Sequence, residues 1–207
     1  MPPTARDDRA SRIRGARAAA PALGPGDCPL EALRESHFLQ RQICADMEVL
    51  AEATFPRPEL ARSILVNLCR DLPLHHADED AGLFPLLRAR ALPEDEIEAL
   101  LERLSADHDR DQAARAPLLA ALACMADGAL PAPEDRAALK ALAQSERRHM
   151  VIENAIVLPL ARARLTAADL AALREGMAAR RARPPAADDP CRKVLPATDD
   201  APERSSA

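Results

Sequence analysis

Two stretches of the chain carry the same pattern of chemically active residues. His75-x-x-x-Glu79-x-x-x-x-Phe84-Pro85 is matched by His149-x-x-x-Glu153-x-x-x-x-Leu158-Pro159, with a glutamate four residues after each histidine and a proline six residues beyond each glutamate. A further histidine precedes each motif, His37 before the first and His108 before the second, so four of the five histidines fall in matching places of two half-repeats. Residues four apart on a helix share a face, which gives each motif one imidazole and one carboxylate on the same side. The repeated spacing marks two copies of a helical hairpin.

A lone histidine on an apolar stripe is more often a hydrogen-bonded core residue. Four in register with two glutamates form a metal-ligand set, because imidazole and carboxylate suit iron, manganese and zinc. Without ions the set is costly, since two carboxylates about 4 Å apart repel by roughly 4 kcal/mol at an effective dielectric of 20. Six ligands exceed what one tetrahedral zinc takes, and their two-fold arrangement points to two ions bridged by the glutamates. The candidate metal residues are therefore His37, His75, Glu79, His108, His149 and Glu153. His76 and Asp80 share the same spacing, but only His75 and Glu79 align with the Phe84-Pro85 landmark, so His76 is placed beside the set. Cys69 and Asp80 read as structural or solvated.

These residues must be positioned by helices. Asp27-Cys28-Pro29 predicts a cap with proline at the first helical position, followed by Leu30, Leu33, His37, Cys44, Met47 and Ala51 at helical spacing. A second helix from near Glu59 carries Leu65, Leu68, Leu72, His75, Glu79 and Leu86, with Pro73 kinking or dividing it. The acidic run Glu94-Asp95-Glu96 suits the start of a third, whose stripe reads Ile97, Leu101, Leu104, His108, Gln112, Arg115, Leu119 and Leu122 up to Gly128. A fourth opens at Glu134 and Asp135 and places Ala138, Leu142, Ser145, His149, Glu153, Ile156 and Leu160 in register. Thr166 with Asp169 signals a short fifth helix to about Arg180. Four long amphipathic helices with short links predict an all-α, antiparallel four-helix bundle with a short fifth C-terminal helix.

Composition agrees. The chain has 207 residues, 48% hydrophobic, with three Phe and no Tyr or Trp, which favours helices over strands. Residues 1–27 and 182–207 lack apolar periodicity and read as disordered tails around one domain over 28–181. A net charge of −5 without aromatic-basic patterning argues against nucleic acid as a partner. No stretch approaches a membrane span, and the N-terminus lacks the apolar core of a secretory signal, so a cytoplasmic location is expected. The five cysteines form no C-x-x-C pair and are expected to be reduced.

With His37, His75-His76-Ala77-Asp78-Glu79, Leu83-Phe84-Pro85, His108, His149-x-x-x-Glu153 and Leu158-Pro159, the sequence resembles the hemerythrin-like, HHE cation-binding family over about residues 29–165. The resemblance implies a left-twisted four-helix bundle around a non-haem di-iron centre, two iron ions with an oxo or hydroxo bridge. Oxygen carriers of that family have a second histidine one turn after the third-helix ligand and an aspartate five residues after the fourth-helix one; here those places are Gln112 and Asn154. The four-His, two-Glu set looks like that of the iron-centre repair proteins, although their separate cysteine-bearing N-terminal module has no counterpart in residues 1–28. The expected function is binding or sensing of O2, nitric oxide or peroxide, or iron handling under oxidative and nitrosative stress. No catalytic acid or nucleophile is evident beyond the ligand set. Two alternatives remain: a ferritin-like carboxylate di-iron oxidase, for which only Glu146-x-x-His149 supplies the expected Glu-x-x-His, and a metal-independent helical interaction module.

Overall fold

The computed structural model describes residues 27–184 and residue 191; the rest of the two expected tails lies outside the described residues. The first bundle arm is α1 (Pro29–Ala51), opened by Cys28 in extended conformation with Pro29 at the first helical position. The second is a continuous run of α2 (Pro58–Val66), the π-turn π1 (Asn67–Asp71), α3 (Leu72–Asp78), the π-turn π2 (Glu79–Leu83) and α4 (Phe84–Arg90). The third is α5 (Glu98–Ala126), and the fourth joins α6 (Pro133–Ile152), the π-turn π3 (Glu153–Val157) and α7 (Leu158–Arg164). The fifth helix, α8 (Ala167–Ala182), begins with the expected box: Thr166 Oγ1 accepts from the Asp169 amide, and Asp169 Oδ2 accepts from the Thr166 amide.

Pro73 does not end the second arm, which runs without a break from π1 into α3 around it. A proline cannot donate to the carbonyl four residues back and its ring crowds that carbonyl. Those carbonyls belong to Cys69, Ala81 and Ala155 for Pro73, Pro85 and Pro159, and each lies in a π-turn that ends two residues before the proline. The widened turn absorbs the missing bond. It also inserts one residue, which rotates everything downstream by about 100°. The stripe consequently shifts by one place: Leu87 is fully buried where Leu86 was expected, and Val157 is buried while Ile156 is exposed. The acidic run also departs from expectation. Pro93–Asp95 form a 3-10 turn and Glu96 is left-handed (φ 45°), so the run precedes α5 instead of opening it.

The four arms close a ring, α1 against α2 and α6, and α5 against α2 and α6. Two apolar clusters fill it. One contains Leu30 and Leu33 of α1, Leu83 and Leu87 of the second arm, Leu101 and Leu104 of α5, and Val157 and Leu158 of the fourth. The other contains Ile43 to Leu50, Ile64 to Leu72, Leu118 to Met125, and Leu139 to Leu142. Arms one and three run from the first cluster to the second, arms two and four run back, and the antiparallel topology follows. Between the clusters lies a slab of buried polar residues.

The fifth helix covers the first cluster with Leu173 and Met177. Arg180 Nε and Arg181 NH1 each stand 2.7 Å from the buried Asp78 carboxylate, which ties α8 to the residue before Glu79. Gly82 makes the approach possible, since a Cβ there would lie 2.8 Å from Leu173 Cδ1. At the opposite end, Arg136 donates to the carbonyls of Ala51 and Ala53 and satisfies the end of α1.

The expectation that all cysteines are reduced is wrong at two positions. Cys69 in π1 and Cys191 form a disulfide across 122 residues, with Cα atoms 5.6 Å apart. Spacing alone has no means of showing a pair so distant in sequence. Cys44 is a buried thiol, whereas Cys28 and Cys124 are exposed. Closing a loop of this size removes denatured-state entropy worth up to about 5 kcal/mol. Reduction is expected to lower the urea midpoint without changing the helical content of the folded state, and Cys191→Ser should reproduce the loss and abolish sensitivity to reductant. An unchanged midpoint after verified reduction would show that the bond adds nothing to stability.

Candidate metal centre

The polar slab contains every candidate residue. His37 comes from α1, His75 and Glu79 from the second arm, His108 from α5, and His149 and Glu153 from the fourth, all buried. Each glutamate starts a π-turn, and the histidine of each motif, His75 or His149, sits in the last turn of the helix before it. The duplicated motif is therefore a duplicated local structure, in which the π-turn lets the glutamate and the apolar residues following it all face inward.

The side chains form two overlapping groups. His37, His75, Glu79 and Glu153 offer one ligand atom each within 4.8 Å of one another, and so do Glu79, His108, His149 and Glu153. The two glutamates belong to both. His37 Nε2 lies 3.1 Å from Glu153 Oε2 and 3.5 Å from Glu79 Oε1, His75 Nε2 lies 3.5 Å from Glu79 Oε1, and His108 Nε2 lies 3.4 Å from Glu79 Oε2. His149 Nε2 is 2.8 Å from both Glu153 Oε1 and His108 Nε2. Both ring nitrogens of His37 and His75, both oxygens of Glu79 and Oε2 of Glu153 are buried without a hydrogen-bond partner among the described residues. Orphaned buried polar atoms converging from four helices can hold metal ions, and this donor set fits them.

Electrostatics match the geometry. Burial, the largest influence on His37, acts to lower its pKa, but Glu153 and Glu79 together overcome it and raise the imidazole to about 10. His108 is likewise raised to about 10 against burial, by Asp80 and Glu79. His75, fully enclosed, is lowered by burial. Glu79 is held well below the carboxylate range by His75, His108 and His37 although burial opposes them.

Some neighbours escaped the sequence reading. Asp80 is not simply solvated: its Oδ2 lies 2.7 Å from His108 Nδ1 while Ser105 donates to Oδ1 at 2.6 Å, the arrangement that fixes a ligating imidazole through its other nitrogen. The i, i+4 spacing of His76 and Asp80 hid this, because Asp80 reaches across to another helix. Gln112 is exposed, so the place one turn after His108 that faces inward is Asp111. His76 is buried, stacks on His108 with ring centroids 3.9 Å apart, and is absent from both four-residue groups. Glu146, also buried, is pushed up to about 8 by burial and by Asp111.

The family model for the hemerythrin HHE cation binding domain matches residues 28–161, well over half of the 207-residue chain. No curated protein matches the chain.

The histidine shifts set a pH dependence. Their folded pKa of about 10 exceeds the ordinary value of 6.5, so in metal-free protein His37 and His108 contribute stability that is fully present below pH 6.5 and is lost as pH rises through about 10. Glu146, raised from 4.5 to about 8, shifts stability in the same direction. The urea midpoint of metal-free protein is expected to fall between about pH 6.5 and 10, and metal should remove most of that fall because ions replace the protons. A flat metal-free profile would show that these imidazoles are neutral in the folded chain.

Proposed function

We propose a di-iron, small-ligand-binding function from one premise: this chain belongs to the hemerythrin HHE cation-binding family. The observation that carries the reading is the pair of four-atom groups sharing Glu79 and Glu153. His37 and His75 would hold one iron, His108 and His149 the other, and the two glutamates would bridge them. Mixed imidazole and carboxylate donors suit iron, and a bound pair would supply redox and small-ligand chemistry at the middle of the bundle.

The protein residues have separate tasks there. Asp80 orients the His108 ring, and Ser105 orients Asp80. Phe84 lies parallel to the His108 ring at 6.0 Å and, with Leu33 and Leu104, keeps water from one side of the slab. Each ion would receive four protein atoms, short of the six that octahedral coordination takes. The free places favour a small exogenous ligand such as O2, nitric oxide or peroxide, and a role in stress response or iron handling. Asp111, the inward residue beside His108, is placed where Gln112 was expected; Gln112→His would project outward and leave the centre unchanged. The second arm offers Leu72 where a carboxylate oxidase needs a second Glu-x-x-His, which favours ligand binding over that reading. Among the described residues no helix is long and apolar enough to cross a membrane. A cytoplasmic site of action is part of the proposal.

Anaerobic purification after iron-replete expression should yield about two irons per chain, and azide or nitric oxide should perturb the visible spectrum. Stoichiometric zinc, no metal, or an iron-loaded protein inert to both ligands would overturn the reading. His75→Ala is expected to lose most of the iron and His76→Ala to retain it. Asp80→Asn should weaken iron binding by about tenfold or more while leaving the fold intact.

A further inference from the structure

Phe38 stands apart from the other two phenylalanines. Phe84 is fully buried, and Phe55 lies under the Arg57 guanidinium at 4.2 Å. Phe38, in the middle of α1, exposes 67% of its surface. Beside α1, the fourth arm exposes 66% of Val151, and then Ala155 and Ile156. Glu31 pairs with Arg162 toward one end of these two arms and Glu48 with Arg147 toward the other, so the apolar side chains fall between the two ion pairs on one wall of the bundle.

Single apolar side chains on a surface need no explanation. The charges around Phe38 add a pattern that does. Glu35 and Arg41 lie three residues before and three residues after it, both exposed and, among the described residues, both without an ion-pair or hydrogen-bond partner. The next residues outward, Arg34 and Gln42, are engaged within their own helix by Glu31 and Asp46. A two-fold axis through Phe38 that crosses α1 with a second α1 in the antiparallel sense exchanges positions equidistant from it. Phe38 then meets Phe38, and Glu35 of each copy is brought toward Arg41 of the other, because an isologous contact repeats every pairing. A parallel crossing would instead oppose Glu35 to Glu35 and Arg41 to Arg41.

We propose that this face of α1, with Val151 at its edge, is the interface of a symmetric dimer between two copies of this chain. An aromatic anchor at the centre and complementary charges around it are what such an interface requires. A different protein would have to present the same reversed spacing of Arg, Phe and Glu; a second copy already does. The proposal is independent of the metal reading.

The test is sedimentation velocity of the full chain carrying Cys28→Ser and Cys124→Ser, so that disulfides through the exposed thiols play no part. A reversible monomer-dimer equilibrium in the micromolar range is expected. Phe38→Asp should weaken it by about thirtyfold or more. Glu35→Arg and Arg41→Glu should each weaken it by about tenfold by setting like charges against each other, and the two together should restore it because the pairs re-form in reverse. Phe38→Cys should cross-link to a disulfide dimer under a mild oxidant, whereas Val49→Cys, also exposed on α1 but away from the axis, should not. Circular dichroism identifies any variant that has lost the fold, and Phe38→Ser then replaces Phe38→Asp. A protein that stays monomeric at about 1 mM, or a dimer unmoved by the Phe38 substitution and by both single charge reversals, overturns the proposal. A double reversal no tighter than either single one overturns the two-fold pairing of Glu35 with Arg41.

Discussion

Four imidazoles and two carboxylates enclosed at the middle of an apolar bundle impose the requirement that the rest of the structure meets. Each buried charge carries a desolvation penalty of several kcal/mol, and a folded domain has only about 5 to 15 kcal/mol of net stability. The chain confines the cost to one slab with an apolar cluster above and another below, so that hydrophobic burial on both sides closes the bundle around it. The polar atoms left unpartnered inside the slab converge on two overlapping groups. What is a liability for an empty core is the affinity of a metal-binding one.

The prolines show how that slab is aimed. Three of them follow π-turns at the same offset, and two of those turns begin at Glu79 and Glu153. A regular helix would place the glutamate and the downstream apolar residues on drifting faces. The inserted residue restores both to the interior, and the proline prevents the turn from relaxing into regular α-helix, because the helical amide it would need is missing. A feature that reads as a helix breaker is thus a register device. The fifth helix reinforces it: Arg180 and Arg181 hold Asp78, directly before Glu79, and Gly82 gives the helix room to approach.

Around the slab the charged residues work in tiers. Asp80 reaches His108 through a nitrogen that the paired groups do not use, and Ser105 fixes Asp80 in turn. Farther along α5 and α6, Asp111 and Glu146 bring two buried carboxyl groups toward the interior, and burial raises the pKa of both. This asymmetry, with phenylalanine and leucine on one side and carboxylates on the other, gives the centre an apolar wall and an acidic wall.

The sequence by itself determined the helical class, the four arms and their order, the capping of the fifth helix, and the six residues that meet, because helical periodicity and a repeated His-Glu-Pro spacing are local properties of the chain. It misjudged the faces downstream of Glu79 and Glu153, since a π-turn adds a residue without leaving a distinct sequence signal, and it turned Gln112 inward where Asp111 stands. Tertiary structure alone decided the partners that lie far apart along the chain: Cys69 with Cys191, Asp80 with His108, Asp78 with Arg180 and Arg181, and Glu146 with His76. Periodicity says which way a side chain points from its own helix axis. Which group it meets depends on the register and rotation of another helix, and those are fixed only when the two apolar clusters pack.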